Sequence, residues 1–280
     1  MSAIAVAKKD FRDAVRSRVL IGLTALFALF TAGGAFVASW ASELFEEGGA
    51  QSTIDLILAL QTPAGFLVPI IALIVGYGAI ARERESGSLK FLLGLPHRRR
   101  DVVLGKVLGR TGVVAVSILV GFAVGLAGLF AFVGSVSLVD YVAFTLVTVL
   151  FGFVYVCIGV GISSLTRSTT RAAVGVIVVV VLFWFLWGLV GQALLFATEG
   201  TLLVQSLPDW YLVYSSLPPG TAYGSAISAV LGETQLALTT MYDIETVPLV
   251  ARPWFGFVLL AIWALVPLGV GLSWFDRVDL

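Results

Sequence analysis

Apolar residues in this chain fall in long blocks separated by short polar connectors, and the blocks are too long to be buried strands. Residues 19–40 carry no charged side chain. As a helix they would cover roughly 33 Å, against a hydrocarbon core of about 30 Å. Comparable blocks occupy about 64–81, 112–133, 139–163, 172–196 and 254–274. The pattern predicts an all-α polytopic membrane protein with six transmembrane helices in a single domain over residues 1–280.

The connectors are informative in their own right. Residues 1–18 are basic, and Ile4, Ala7, Phe11, Ala14 and Val15 fall close to one helical stripe. This predicts an interfacial amphipathic helix with Lys8, Lys9, Arg12 and Arg16 toward lipid headgroups; a solvated tail is the alternative. A signal peptide competes for the first block, but the block exceeds the usual apolar run of about 7–15 residues, so the helix is expected to be retained. Residues 41–62 are polar and acidic. Pro63 stands where a helix start tolerates proline, and Pro69 should kink the helix that follows. Residues 82–106 form the longest charged stretch, with an apolar cluster of Leu89, Phe91, Leu92, Leu93 and Leu95 in its middle. That suits a short amphipathic element lying against something at the membrane surface. Asp101 is a fair N-cap for the next helix, whose first turns, with Lys106 and Arg110, should project into water or headgroups. Gly121 and Gly125 form a small-xxx-small pair that would permit close helix contact. The 164–171 loop is short and basic.

Residues 197–253 hold five of the nine prolines and are too apolar for a solvated linker. Trp210, Tyr211 and Tyr214 suit an interfacial belt. Pro218, Pro219, Gly220 and Thr221 should open a helix running to about Leu231. One or two short helices partly sunk into the outer leaflet are expected here.

Composition agrees with the blocks. The chain is 59% hydrophobic and 12% charged, with mean hydropathy +1.03; a soluble domain carries about 25% charged residues. Formal net charge is zero, but the charges are segregated. With six spans, one face receives 16 of the 17 Lys and Arg residues, and Arg252 alone falls on the other. The acids divide seven to ten in the opposite sense, so the faces differ as +9 and −9. The positive-inside rule places the basic face, with both termini, in the cytoplasm and the chain in the cytoplasmic membrane.

The chemical inventory is sparse. No G-x-x-x-x-G-K-[ST] loop or H-E-x-x-H occurs, His97 is the one histidine, and Cys157 stands alone in an apolar run. No metal site or cofactor is expected in the chain. The spans hold almost no ionisable group, with Asp140 the one candidate for ion coupling, which argues against a secondary carrier. Ser117, Thr145, Thr148 and Gln192 suit helix–helix hydrogen bonding. A membrane body with little to drive work and an elaborate basic face suggests a permease powered from outside its own chain. A non-transporting membrane scaffold and a carrier using Asp140 are the other readings.

The residues carry a family resemblance. Glu83-Arg84-Glu85-Ser86-Gly87-Ser88-Leu89 matches E-x-x-x-G-[ST]-L, Leu95-Pro96-His97-Arg98-Arg99 matches L-P-x-x-R, and Leu104-Gly105-Lys106 matches L-G-K. In that order, after a basic amphipathic N-terminus and two spans, they resemble the ABC-2 type transporter permeases, within them the NosY-like set associated with multicopper-enzyme maturation. The resemblance covers the chain in topology and about residues 82–106 in specific motif. It implies an elbow helix over residues 3–18, a cytoplasmic coupling helix over about 82–93 and short extracellular helices before the last span. It further implies a second permease copy or paralogue forming a dimer, and a separate ABC ATP-binding subunit that holds the ATP and Mg. Carried over, the coupling residues are Glu83, Glu85, Ser86, Gly87, Leu89, Lys90, Phe91, Leu92, Leu95, Pro96 and Arg99, with Leu89, Phe91 and Leu92 filling a cleft on the ATPase. The elbow residues are Lys8, Lys9, Phe11, Arg12 and Arg16. A basic loop anchored on anionic lipid is the competing reading of 82–106. No nucleic-acid partner is expected, and substrate does not follow from the resemblance.

Overall fold

The computed structural model describes residues 3–15, 18–44, 53–89, 99–132, 137–201, 206–232 and 247–277, and these are helical with no strand among them. In chain order the helices are α1 (Ala3–Val15), α2 (Arg18–Leu44), α3 (Thr53–Gly76), the short α4 (Ala81–Glu85), α5 (Arg99–Phe132) and α6 (Leu138–Leu165). Helix α7 (Thr169–Val181) runs through a π-helical turn, Leu182–Leu186, into α8 (Trp187–Glu199). Then come α9 (Asp209–Ser216), α10 (Pro219–Leu231), a 3-10 turn (Leu249–Ala251) and α11 (Phe255–Arg277). Among the described residues, five stretches are long and apolar enough to cross a membrane: Ala59–Glu85, Arg99–Ala131, Leu138–Leu165, Thr169–Glu199 and Phe255–Arg277. Helix α2 adds the shorter apolar stretch Thr24–Gly34.

Two helix starts differ from the sequence reading. Helix α3 begins at Thr53, so Pro63 lies inside it, as does Pro69. In an apolar medium the chain has no water to satisfy freed backbone groups, so helix is kept on both sides of a proline. Helix α5 begins at Arg99, which puts Asp101 in its first turn rather than at its cap. A carboxylate there still meets the positive end of the helix dipole.

Helix α6 is the centre of the bundle, with α3, α5, α10 and α11 packed on it. Its buried Phe151, Tyr155, Val156 and Val160 belong to one continuous apolar core shared with α3, α5 and α11. Gly161 on α6 and Gly271 on α11 let those helices touch backbone to backbone, because a Cβ on Gly161 would sit 2.6 Å from Pro267 O. The Gly121 and Gly125 pair packs against α2: a Cβ on Gly121 would collide with the Phe27 ring, and Thr31 Oγ1 donates to Gly121 O at 2.7 Å. Ser117 joins the same contact by accepting from Thr24 Oγ1 at 2.9 Å.

Helix α10 packs one face into the bundle, while Gly220, Thr221 and Val230 on its other side are exposed. Ala222, Tyr223, Ala226 and Ile227 are each at most 1% exposed. Tyr223 stacks on Phe151 with centroids 4.2 Å apart and planes at 8°. Thr148 gives its one hydroxyl hydrogen to Phe144 O, so the 2.7 Å bond between Thr148 and Tyr223 has Tyr223 as donor. Thr145 bonds within its own helix, and Gln192 is exposed. By contrast, only 6% of the apolar window of α7–α8 is buried.

Candidate coupling site at the charged end of the bundle

The site grows from the break after α3. The chain turns at Tyr77–Ile80, and the first N–H groups of α4 lack helical partners. Ser163 of α6 takes two of them: its Oγ accepts from Ile80 N at 3.0 Å and Ala81 N at 2.9 Å. Helix α4 then ends after five residues. Gly87 has φ +73°, a left-handed conformation natural to glycine and costly for other residues. The exposed Ser86 and Ser88 hydroxyls bond each other at 2.9 Å and reach back to Glu83 O. The chain therefore folds back, and Leu89, 1% exposed, enters the main core. A continuous helix over 82–93 is thus interrupted at Gly87. Leu89 is an inward anchor and in this structure is not available to fill a partner's cleft.

Glu83 faces α5. Lys106 Nζ lies 2.7 Å from Glu83 Oε1 and 3.4 Å from Asp10 Oδ1 of α1. Arg110 pairs with the same aspartate: Nη2 donates to Oδ1 at 3.1 Å, and Nε lies 2.7 Å from Oδ2 as an ion-pair contact. Lys106 is 2% exposed and Asp10 8%. Two cations and two carboxylates offset one another, as buried charges must. Lys106, expected to project into water or headgroups, is instead covered by α1 and α4, while Arg110 stays half-buried.

Glycine makes that cover possible. Gly105, Gly109 and Gly112 lie on one face of α5, and α1 lies along them. A Cβ on Gly105 would come 2.6 Å from Val6 Cβ and 2.7 Å from Ala3 O; on Gly109, 2.9 Å from Ala7 O; on Gly112, 3.0 Å from the Phe11 ring. The buried stripe of α1 is Val6, Asp10 and Ala14, with Phe11 half-buried beside it. Ile4 and Val15, assigned to that stripe from sequence, point outward at 71% and 37% exposure. Lys8, Lys9 and Arg12 are exposed, and Arg16 lies outside the described residues.

The other residues of α4 reach two further elements. Arg84 Nη1 donates to Thr166 O at 3.1 Å, and its guanidinium sits 5.2 Å from the Phe275 ring of α11. Arg99, at the start of α5, donates to Phe275 O at 2.8 Å and approaches the same ring at 5.9 Å. A cation on the last carbonyls of α11 also suits the negative end of that helix. Glu85 Oε2 accepts from Thr169 N at 2.9 Å, at the first turn of α7. Arg100 pairs with Asp276 at 3.0 Å in an exposed bridge of small energetic worth.

Residues 81–89 are thereby tied to α5 by charge and through Lys106 to α1, to α6 and α7 by caps, and to α11 by the Arg84 guanidinium over the Phe275 ring. Of the sequence-derived coupling residues, Glu83, Glu85, Ser86, Gly87, Leu89 and Arg99 fall in this assembly. Lys90, Phe91, Leu92, Leu95 and Pro96 lie outside the described residues. Sequence reasoning missed Asp10, Ser163 and Phe275. Asp10 had a signal, since it stands four residues after Val6 and four before Ala14. Among the described residues no group of three His, Cys, Asp or Glu side chains is placed to hold a metal ion.

Comparison with known proteins gives this geometry its setting. The family model for ABC-2 family transporter proteins matches residues 4–280. The chain is 31% identical over 212 residues to the probable ABC transporter permease protein NosY of Stutzerimonas stutzeri, covering 74% of this chain and 75% of that one. It is equally similar, at 31% over 212 residues, to the protein of the same name from Pseudomonas aeruginosa, covering 74% and 76%. Matched along essentially its whole length and built of membrane-crossing helices, the chain belongs to the ABC-2 transporter family and is a membrane permease subunit of an ABC transporter.

Proposed function

We propose that residues 82–106 receive work from a separate ATP-binding subunit, and that this chain exports substrate by alternating access as one half of a permease dimer. The observation that carries the reading is the wiring of residues 81–89, where Ala81, Glu83, Arg84 and Glu85 contact α5, α6, α7 and α11, and Glu83 reaches α1 through Lys106. A lipid-anchored loop has no need of connections to that many helices; a lever does. ATP and Mg sit on the partner in this reading, and the chain needs no cofactor of its own. Phe91 and Leu92 supply the apolar docking face, Lys90, Leu95 and Pro96 shape it, and Leu89 holds its root in the core. The segregation of Lys and Arg supports six spans, with both termini and the docking face on the cytoplasmic side of the cell membrane. The exposed α7–α8 helix offers a face for a second permease copy as well as for lipid.

The test is co-expression with a candidate ATP-binding subunit, followed by purification and ATP hydrolysis in liposomes. Phe91→Asp should leave the permease folded and inserted while abolishing co-purification of the ATPase. Undiminished co-purification and turnover with that variant would remove the docking assignment and favour a scaffold.

A further inference from the structure

A cleft of about 420 Å³ opens between α3, the α7–α8 helix, α9 and α10. It lies roughly 15–22 Å along α3 from Gly76, away from the charged cluster, and its volume is within the range of about 300–1,000 Å³ usual for small-molecule pockets. Its walls are aromatic: Phe66, Tyr155, Trp184, Trp187, Tyr211 and Tyr214. The rings are held in place before any ligand arrives. Trp187 Nε1 donates to Tyr214 O at 3.1 Å, Tyr214 donates to Trp187 O at 2.9 Å, and the two rings stack at 4.9 Å and 17°. Phe66 and Trp184 meet edge to face at 4.8 Å. Trp184 is carried on the π-helical turn Leu182–Leu186, a device frequent at functional sites.

Two observations point to a ligand. First, the lining is almost entirely ring faces and small polar side chains, with Tyr155 forming part of the cleft's floor at 2% exposure. Second, no Lys, Arg, His, Asp, Glu or Cys lines the cleft among the described residues. An anion would find no counter-charge there, and a metal ion no ligand of the kind it needs. Aromatic faces carry negative potential and attract cations whose own hydration is weak. Asp209, two residues before the cleft-lining Tyr211, adds to this bias.

We propose that this cleft binds an organic monocation with bulky apolar substituents. As a transported class, this rests on the permease reading above; as a binding site it does not. The measurement is equilibrium binding of radiolabelled tetraphenylphosphonium to the purified full-length permease in lipid nanodiscs, with empty nanodiscs as the partition control. Tetraphenylborate, of the same shape and opposite charge, is the competitor. The expected result is saturable binding above the empty discs, displaced by unlabelled tetraphenylphosphonium and not by tetraphenylborate. Trp187→Leu should weaken it about tenfold, while Trp187→Phe, which keeps a ring, should stay within about threefold of the parent. Trp184→Leu serves as a second variant should Trp187→Leu fail to fold, with the same expected loss. Uptake equal to empty discs, equal displacement by tetraphenylborate, or no change in a folded Trp→Leu variant would overturn the proposal. The assay uses neither nucleotide nor ATP-binding subunit. A negative result here therefore leaves the coupling assignment standing, and a failed co-purification leaves this binding assay readable.

Discussion

Glu83 and Lys106 stand at opposite ends of the charged stretch, 23 residues apart, and their side chains meet at 2.7 Å. The first and third pieces of the sequence motif are thus bonded to each other. Lys106 in turn holds Asp10, so the N-terminal helix, the segment after α3 and the root of α5 share one buried cation. Any displacement of residues 81–89 must pull on that lysine.

Lys106→Met is expected to destabilise the purified permease by about 3–5 kcal/mol, since it leaves the buried Asp10 carboxylate with Arg110 alone. In a double-mutant cycle with Glu83→Gln, thermal unfolding should show a coupling energy of about 1–3 kcal/mol. Additive effects would mean that the pair carries no energetic link.

Gly105→Leu should detach α1 from α5, because even a Cβ at that position approaches Ala3 O to 2.7 Å. Overpacking of this kind costs about 1–3 kcal/mol. Limited proteolysis within residues 3–15 should accelerate, whereas Leu104→Ala, at an exposed position, should leave the cleavage rate unchanged.

Leu89 and Phe91 are expected to behave differently although they are two residues apart. Leu89→Ala removes a core side chain and should cost about 2–5 kcal/mol in unfolding stability, and Leu89→Asp should abolish folded yield. Phe91→Asp should keep the parent's melting temperature and lose only ATPase association. Equal loss of yield in both aspartate variants would contradict the anchor role of Leu89.

Phe275 receives Arg84 and Arg99 on its ring and Arg99 on its carbonyl. Phe275→Leu keeps apolar volume and the backbone bond but removes the ring face, a loss of about 1–2 kcal/mol for partly desolvated pairs. Substrate-stimulated ATP hydrolysis should fall severalfold while the ATP-binding subunit still co-purifies, separating transmission from docking. Unchanged stimulation would take α11 out of the transmission path.

Much of the architecture was legible in residue types. Gly121 and Gly125 announced a close contact, and the contact exists with α2. Pro218 and Pro219 announced the start of α10, which begins at Pro219. What the residues around them concealed is depth. The helix was expected, but that α6 and α11 would cover Tyr223 and Ala226 was not, because burial depends on which neighbours cover a helix. The face of α1 that packs on protein was hidden in a similar way. Ile4 is the larger apolar residue, but the glycine face of α5 accepts Val6 and Asp10 instead.

The sequence alone determined the membrane class, the order of the apolar blocks and the family, since these follow from block length, composition and local motif. Tertiary structure decided which charges meet. Asp10, Glu83 and Lys106 come from three segments, and only the register in which α1 and α4 lie on α5 brings them within 3.4 Å. That register is set by backbone-close contacts at Gly105 and Gly109. Such contacts arise from an absence of side chain on one helix and the shape of another, and periodicity along a single helix encodes neither.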